Sequence, residues 1–251
     1  MTKSPFSLDS KTILITGASS GIGRACAVEI SRMGVSECLL VGRNTESLQA
    51  TADMMDSDCK VKLLVGDLTD VETMREISES ISCIDGVVFN AGINIMKPVQ
   101  FYTEKYINEI FNINCFSPML LVKNLLRNKK IKPGASLVFT SSISGFSNFS
   151  VGNGIYSASK SALTAYMRSL ALEVSGKGIR CNAVHPGRIE TPLIHKGYLS
   201  DDEHAADAAT YPLKRYGRPE EVAYAIIYLL SDAAAWITGT SMVIDGGKSL
   251  V

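Results

Sequence analysis

No long hydrophobic run interrupts this 251-residue chain, and a bilayer crossing needs about 20 consecutive apolar residues. The opening Met1-Thr-Lys-Ser-Pro-Phe-Ser-Leu-Asp-Ser-Lys11 also lacks the apolar core of a signal peptide, so a cytoplasmic location is expected. Excess charge of either sign is missing, because 25 Lys and Arg offset 25 Asp and Glu. That balance points away from nucleic acid and from an anionic membrane surface as partners. Six cysteines (Cys26, Cys38, Cys59, Cys83, Cys115, Cys181) form no C-x-x-C pair, and there is no histidine cluster. Neither a metal site nor a disulfide framework is therefore expected. His195 and His204 have no partner cluster and receive no role. Repeats, low-complexity segments and linkers are absent too, so residues 1–251 are read as one domain.

What is present is a regular alternation of short apolar runs with segments of helical period. Residues 12–15, 37–41, 61–65, 86–89, 136–139, 179–184 and 242–244 read as strands. Helices are expected from about Ile22, Glu46 and Val71, over 104–127, 156–174 and 220–230. Seven strands in βαβ order predict an α/β fold: a Rossmann-like, doubly wound parallel sheet between two helical layers, α/β/α. Ligands of such sheets sit beyond the carboxyl ends of the strands.

Two motifs at those ends carry chemistry. In Tyr156-Ser-Ala-Ser-Lys160, one helical turn separates a phenol from an ammonium, placing both on one face. A phenol ordinarily titrates near pH ~10, and a nearby cation draws it toward a working general acid or base. Taken alone, the pair also fits a solvated helix face. In Thr16-Gly17-Ala-Ser19-Ser20-Gly21-Ile22-Gly23, glycines let backbone approach a ligand closely, and the following helix offers unpaired N–H groups to a pyrophosphate.

Together with Asn90-Ala91-Gly92, Asn114, Ser142 and Pro186-Gly187, these motifs resemble the short-chain dehydrogenase/reductase family over nearly the whole chain. The resemblance implies a tyrosine, Tyr156, that exchanges a proton with the substrate oxygen while a nicotinamide exchanges a hydride with the attached carbon. It implies that Lys160 lowers the tyrosine pKa and holds the nicotinamide ribose. Ser142 would hydrogen-bond the carbonyl oxygen, although Ser141 offers the same hydroxyl. Gly145 follows Ser142 at the family's distance, and the loop on to Tyr156 is slightly long. Asn114 resembles an asparagine that kinks a helix and holds a relay water, with Asn112 two residues away. Asn90, Ala91 and Gly92 would line the adenine ribose side, and the same three residues also read as a strand stop. Pro186, Gly187, Ile189 and Thr191 would meet the nicotinamide.

Cofactor choice turns on Val41-Gly42-Arg43-Asn44. No carboxylate stands there for a ribose 2′-hydroxyl, whereas Arg43, with Asn44 beside it, suits a 2′-phosphate. NADP(H) is expected over NAD(H), even though Ser20 occupies the place where many NADP-using relatives carry a second basic residue. Asp67, followed by Leu68, resembles the adenine-binding position and also suits a helix cap. Substrate contacts are expected from Asn94, Met96, Ser142, Ser144, Gly154, Tyr156 and an irregular lid over 189–211.

The function expected is an NADP(H)-dependent interconversion of ketone and secondary alcohol on a small or carrier-linked substrate, 3-oxoacyl thioesters first. Alternatives are a sugar or polyol dehydrogenase using NAD(H), a non-redox epimerase or lyase, and a catalytically silent binding protein. Epimerases and lyases commonly add a C-terminal domain for which this length leaves no room. Lys129, Lys130, Lys132 and Lys177 are considered as a docking patch for an acidic carrier. The ending 236–247 resembles the final strand of tetrameric relatives, so a homotetramer of dihedral symmetry is expected.

Overall fold

The computed structural model describes residues 4–194 and 200–251. Its centre is a seven-stranded, all-parallel sheet of β1 (Thr12–Thr16), β2 (Glu37–Gly42), β3 (Lys60–Val65), β4 (Ile84–Phe89), β5 (Ile131–Thr140), β6 (Arg180–Pro186) and β7 (Ser241–Ile244), in the spatial order β3-β2-β1-β4-β5-β6-β7. The order reverses between β1 and β4, which opens a crevice at their carboxyl ends.

Strand periodicity explains the two cores. Successive side chains point to opposite faces, so Leu14, Leu39, Val41, Leu137 and Phe139 enter one cluster while Ile13, Ile15, Cys38, Leu40 and Val138 enter the other. The first face is covered by α3 (Val71–Ser80), α5 (Ser117–Arg127) and α6 (Gly154–Val174). The second is covered by α1 (Gly21–Ser31), α2 (Thr45–Ala52) and α8 (Pro219–Leu230). All six cysteines are free, and five of them are buried.

Two sequence expectations need correction. A continuous helix over 104–127 is instead α4 (Glu104–Phe111), a π-helical turn at Asn112–Phe116, and α5. Pro118, in the first turn of α5, has no N–H to give the helical ladder. The Asn112 carbonyl accepts from the Ser117 N–H, the wider spacing of a π turn, and from the Ser117 hydroxyl at 2.7 Å. The second correction lies in the stretch 189–211, which holds a regular helix, α7 (Asp201–Ala209), as well as irregular backbone. Its signal is a capping box: the Ser200 hydroxyl accepts from the Glu203 N–H, and the Glu203 carboxylate accepts from the Ser200 N–H. Residues 195–199 of the expected lid, His195 among them, lie outside the described residues.

Candidate active site

The glycine turn between β1 and α1 is built so that no side chain can enter it. A Cβ on Gly23 would lie 2.1 Å from the Gly17 carbonyl oxygen, and one on Gly17 would lie 2.9 Å from Ala91 Cα. Gly17 and Gly21 sit at φ +67° and +53°, in the left-handed region. Ser20 is the N-cap of α1, yet its side chain makes no capping bond, which leaves the hydroxyl and the first helical N–H groups facing outward. Two residues not singled out from sequence hold this turn from behind. Thr51 in α2 donates to the Ala18 carbonyl at 3.0 Å and accepts from Arg24 Nε at 3.1 Å, while the Arg24 guanidinium grips the Ser19 carbonyl.

Asn90, Ala91 and Gly92 dock against the same turn. The Thr16 hydroxyl accepts from the N–H groups of Asn90 and Ala91 at 3.0 and 3.1 Å, and Asn90 Nδ2 reaches the Gly17 carbonyl at 3.4 Å. At the far side, a Cβ on Gly21 would stand 3.1 Å from Thr191 Cγ2, so the end of β6 and the glycine turn face each other. Gly187 is pinched between Asp245 and Tyr211, and its N–H donates to the Ile244 carbonyl at 2.9 Å. Ile189 is buried and bridges to Gly217. Asp67 does not cap α3, because Asp70 does so through the Thr73 N–H at 2.8 Å. Asp67 instead accepts from the Thr69 N–H and hydroxyl, both at 2.8 Å, and Leu68 beside it is buried. Arg43 is exposed at the end of β2, and Asn44 is occupied in capping α2 through the Ser47 N–H at 2.7 Å.

Ser142, Tyr156 and Lys160 converge where β5 ends against the start of α6. The Ser142 hydroxyl stands near enough to the Tyr156 phenol to pull on its titration, whereas Ser141 turns away to the Lys160 carbonyl at 3.1 Å and to the Thr164 hydroxyl at 2.9 Å. Gly145 is needed for this approach, since a Cβ there would lie 2.7 Å from Lys160 Cβ and 2.8 Å from the Ser161 nitrogen. Lys160 is buried, its ammonium donates to the Thr140 carbonyl at 2.8 Å, and it lies 5.9 Å from the centroid of the Tyr156 ring.

Burial pushes the Tyr156 phenol up, and the Ser142 hydroxyl pulls it back in part. The net direction is upward. The Lys160 ammonium is not among the causes here, where it donates to the Thr140 carbonyl. Lys160 itself is lowered by burial to about 8, with the Cys115 thiol opposing.

Asn114, fully buried in the π-helical turn, clamps Ile93 from both sides. Its Oδ1 accepts from the Ile93 N–H at 2.9 Å, and its Nδ2 donates to the Ile93 carbonyl at 2.9 Å and to the Ser159 hydroxyl at 3.1 Å. Asn112 is exposed. A Cβ on Gly92 would stand 3.0 Å from Asn114 Oδ1 and 3.3 Å from Lys160 Nζ, so both atoms border one small space there.

The mouth above this floor is formed by two loops tied together by the Lys97 N–H and the Gly152 carbonyl at 2.8 Å. Met96 is exposed, and Asn94 is partly buried with its Oδ1 sealed from solvent. Ser144 donates its N–H to the Ser142 hydroxyl at 3.1 Å. A Cβ on Gly154 would meet the Tyr102 hydroxyl at 2.9 Å. Tyr102 was not legible from sequence; its ring packs, tilted by 39°, at 5.3 Å from that of Tyr106, whose hydroxyl donates to the Ile95 carbonyl at 2.8 Å.

His185 was also missed. It is fully buried, its Nδ1 lies 3.0 Å from the Ser142 carbonyl, and its ring stands 4.8 Å from that of Phe146. A carbonyl can only accept, so Nδ1 carries the proton, and burial keeps the imidazole neutral. The position just before Pro186-Gly187 was its one sequence signal.

The proposed carrier-docking lysines are poorly placed. Lys130 donates to the Ile81 carbonyl at 2.6 Å and Lys132 pairs with Asp85 at 2.8 Å. Lys129 to Lys132 surround the start of β5 and Lys177 precedes β6, at the sheet edge opposite the site. No helix among the described residues is long and apolar enough to cross a membrane.

A family profile described as enoyl-(acyl carrier protein) reductase matches residues 17–249. The chain is similar to the 3-oxoacyl-[acyl-carrier-protein] reductase FabG of Rickettsia conorii, with 33% identity over 97% of this chain and 99% of that protein. The enzyme of the same name from Escherichia coli is likewise 33% identical, over 97% and 99%. Among solved structures, a putative NAD(P)-dependent gluconate 5-dehydrogenase from Beutenbergia cavernae with bound NADP superposes with a TM-score of 0.90 at 29% identity, covering 99% of this chain and 100% of that one.

Proposed function

The chain belongs to the short-chain dehydrogenase/reductase family and is an oxidoreductase of that family; from this premise we propose that it reduces the ketone of a 3-oxoacyl thioester with NADPH. The observation that carries the reading is the convergence of the Ser142 hydroxyl, the partly buried Tyr156 phenol and the buried Lys160 at the end of β5. Two relatives 33% identical to this chain are named for that activity.

The glycine cradle fits a dinucleotide. Its backbone admits nothing larger than a ligand's close approach, and Ser20 leaves the α1 N-terminus open to a pyrophosphate. Gly17, Ser19, Ser20, Gly21, Ile22 and Gly23 would hold the pyrophosphate. Asp67, Leu68, Asn90, Ala91 and Gly92 would hold the adenosine half, and Pro186, Gly187, Ile189 and Thr191 the nicotinamide half. Exposed Arg43 would take the 2′-phosphate, with Asn44 supplying the turn that presents it. When bound, the cofactor supplies a hydride.

The chain's own residues position and protonate the substrate. The Ser142 and Tyr156 hydroxyls hold the ketone oxygen, and Tyr156 gives its proton to that oxygen. The phenolate left behind is stabilised by the Ser142 hydroxyl and by the Lys160 ammonium once it turns from the Thr140 carbonyl toward the cofactor ribose, which it would also hold. Asn114 keeps the backbone at Ile93 fixed beside that ammonium.

The cytoplasm is the proposed location. The proposed assembly is a homotetramer, for which fully exposed Trp236 and exposed Phe116, Leu120 and Leu172 offer apolar contact surface. A monomeric mass by light scattering overturns the tetramer.

The testing experiment follows NADPH oxidation with acetoacetyl thioester, with NADH in parallel at equal concentration. Robust turnover with NADPH is expected, and silence despite cofactor binding overturns the thioester reading in favour of other ketones, sugars or polyols. Arg43→Asp should lower the NADPH-to-NADH ratio of kcat/KM by about 10-fold or more; an unmoved ratio removes Arg43 from the 2′-phosphate site.

A further inference from the structure

His185 is a fully buried, titratable side chain for which the proposed mechanism has no use. Strand alternation places it on the sheet face of Cys181 and Ala183, the face covered by α6, and the Phe146 ring packs against it at 4.8 Å. Its Nε2 is sealed from solvent and has no hydrogen-bond partner among the described residues. An unpaired buried acceptor is costly, and a wholly apolar side chain would fill the space without that penalty. Packing therefore does not account for an imidazole here, whereas its Nδ1–H does.

The end of the β5–β6 ladder shows what that N–H is for. Thr140 lies opposite Val184, and the Ser141 N–H still donates to the Val184 carbonyl at 2.9 Å. Pro186 has no N–H with which to carry the ladder further, and Ser142 leads into a 3₁₀ turn, Ile143–Gly145. Here the His185 ring reaches across from β6, its Nδ1 3.0 Å from the Ser142 carbonyl. The same carbonyl accepts from the Gly145 N–H at 3.1 Å, so both of its lone pairs are used. The Ser142 hydroxyl oxygen accepts from the Ser144 N–H at 3.1 Å, which leaves the hydroxyl proton to be donated outward. Of these three donors, His185 alone comes from outside the turn.

We infer that His185 is a positioning residue: its imidazole N–H holds the Ser142 carbonyl, and through it the Ser142 hydroxyl, where that hydroxyl can bond the ketone oxygen. The inference rests on the ketone-reductase reading and adds to it a residue that touches neither substrate nor cofactor. Burial, with the Arg168 and Lys160 cations of α6 nearby, keeps the ring neutral. With Nε2 sealed as well, the ring is a fixed donor and not an acid or base. Misplacing a reacting group by about 1 Å can lower a rate about 100-fold. The Ser142 bond strengthens as charge develops on the ketone oxygen, so the loss should fall on kcat and spare KM.

The test compares His185→Leu and His185→Asn with the parent in NADPH binding, followed by fluorescence, and in kinetics on acetoacetyl thioester or, for a parent silent there, on a panel of simple ketones. Leucine fills space without a donor, whereas asparagine puts Nδ2 where Nδ1 stands, on a stem of the same length. His185→Leu should lose about 10- to 100-fold in kcat, with KM and NADPH affinity within about 3-fold of the parent. His185→Asn should recover kcat to within about 3-fold, although the smaller side chain packs less well. Equal losses in the two variants would make His185 a space-filler and overturn the inference, as would a His185→Leu enzyme with the parent's kcat; ketone reduction stands in both cases. A second readout needs no turnover: nitrogen-15 NMR of the parent, in which the His185→Asn spectrum picks out the His185 ring among three histidines. At pH 7.5 that ring should carry its proton on Nδ1, and a proton on Nε2 overturns the inference whatever the kinetics. A parent that binds NADPH and reduces no ketone overturns the ketone-reductase reading, and this inference with it.

Discussion

Two helices, one carrying Tyr156 and one in the stretch expected to form a lid, are held in opposite ways. The 21-residue α6 buries nine residues, among them Ser157, Ser159, Lys160 and Thr164, and carries Tyr156. The nine-residue α7, in the expected lid region, buries none. α6 is fixed along its length by apolar packing against the sheet and by polar bonds to Ser141 and Gly145. α7 is held by its capping box, by an edge-on contact between His204 and Tyr216 at 6.1 Å, and by Asp207. The lesson is that the helix carrying Tyr156 is over-determined by packing, whereas α7 is attached at a few polar points, as a cover that opens over a fixed floor would need to be.

The largest expected effect tests the floor at its centre. Tyr156→Phe removes one oxygen from a packed ring, so the fold and NADPH binding should persist while kcat falls about 10³-fold or more. Retained turnover in a variant that still binds NADPH refutes the proton-donor role. Gly23→Ala tests rigidity at the cradle. The added Cβ must displace the Gly17 carbonyl, 2.1 Å away, in a turn already pinned by Thr51 and Arg24. NADPH affinity should drop about 100-fold, with about 1–3 kcal/mol of stability lost. Unchanged binding by titration would show that this turn yields as easily as the cover does.

Lys160 gives the floor a pH signature. Its folded pKa, about 8, lies below its ordinary value of 10.5. The unfolded chain therefore binds the extra proton between these two values, and stability rises with pH across that window by at most about 3 kcal/mol. Below pH 8 both states are protonated and this group contributes no slope. Activity should run the other way, falling above pH 8 as the phenolate loses its ammonium partner. Chemical denaturation of the parent and Lys160→Met at pH 7.5 and 10 checks the first half; equal changes in both proteins dismiss the shift.

The same contrast separates what was legible in the sequence from what was not. β1, β2, β3, α1 and α6 fall within a residue or two of their sequence assignments, since buried parallel strands and long apolar helices leave strong periodic patterns. Gly17, Gly23 and Gly145 were legible because backbone contact tolerates no alternative there. α7 escaped because a helix that buries nothing has no periodicity, although Ser200-x-x-Glu203 was in view. The π turn between α4 and α5 was legible only through Asn114, read by resemblance as a residue that kinks a helix, because an apolar repeat does not register such a turn. Tyr102 and His185 escaped for another reason: each makes its contact with a partner 52 or 43 positions away, namely Gly154 and Ser142.

The smallest effect belongs to the cover. Asp207 accepts from the Tyr216 hydroxyl at 2.8 Å and pairs with Arg188 at 3.3 Å, where both side chains are about a third exposed. Screening at that exposure limits the ion pair to about 0.5 kcal/mol. Asp207→Asn keeps an acceptor for Tyr216 and removes only the charge. The expected result is an unchanged melting temperature, because nothing in α6 or the sheet depends on this contact. Hydrogen exchange in α7 should nevertheless speed up about 2- to 3-fold, and KM should rise by a similar factor with kcat held. If Asp207→Asn instead lowers global stability as much as Gly23→Ala, then α7 belongs to the cooperative unit of α6, and the division between floor and cover is wrong.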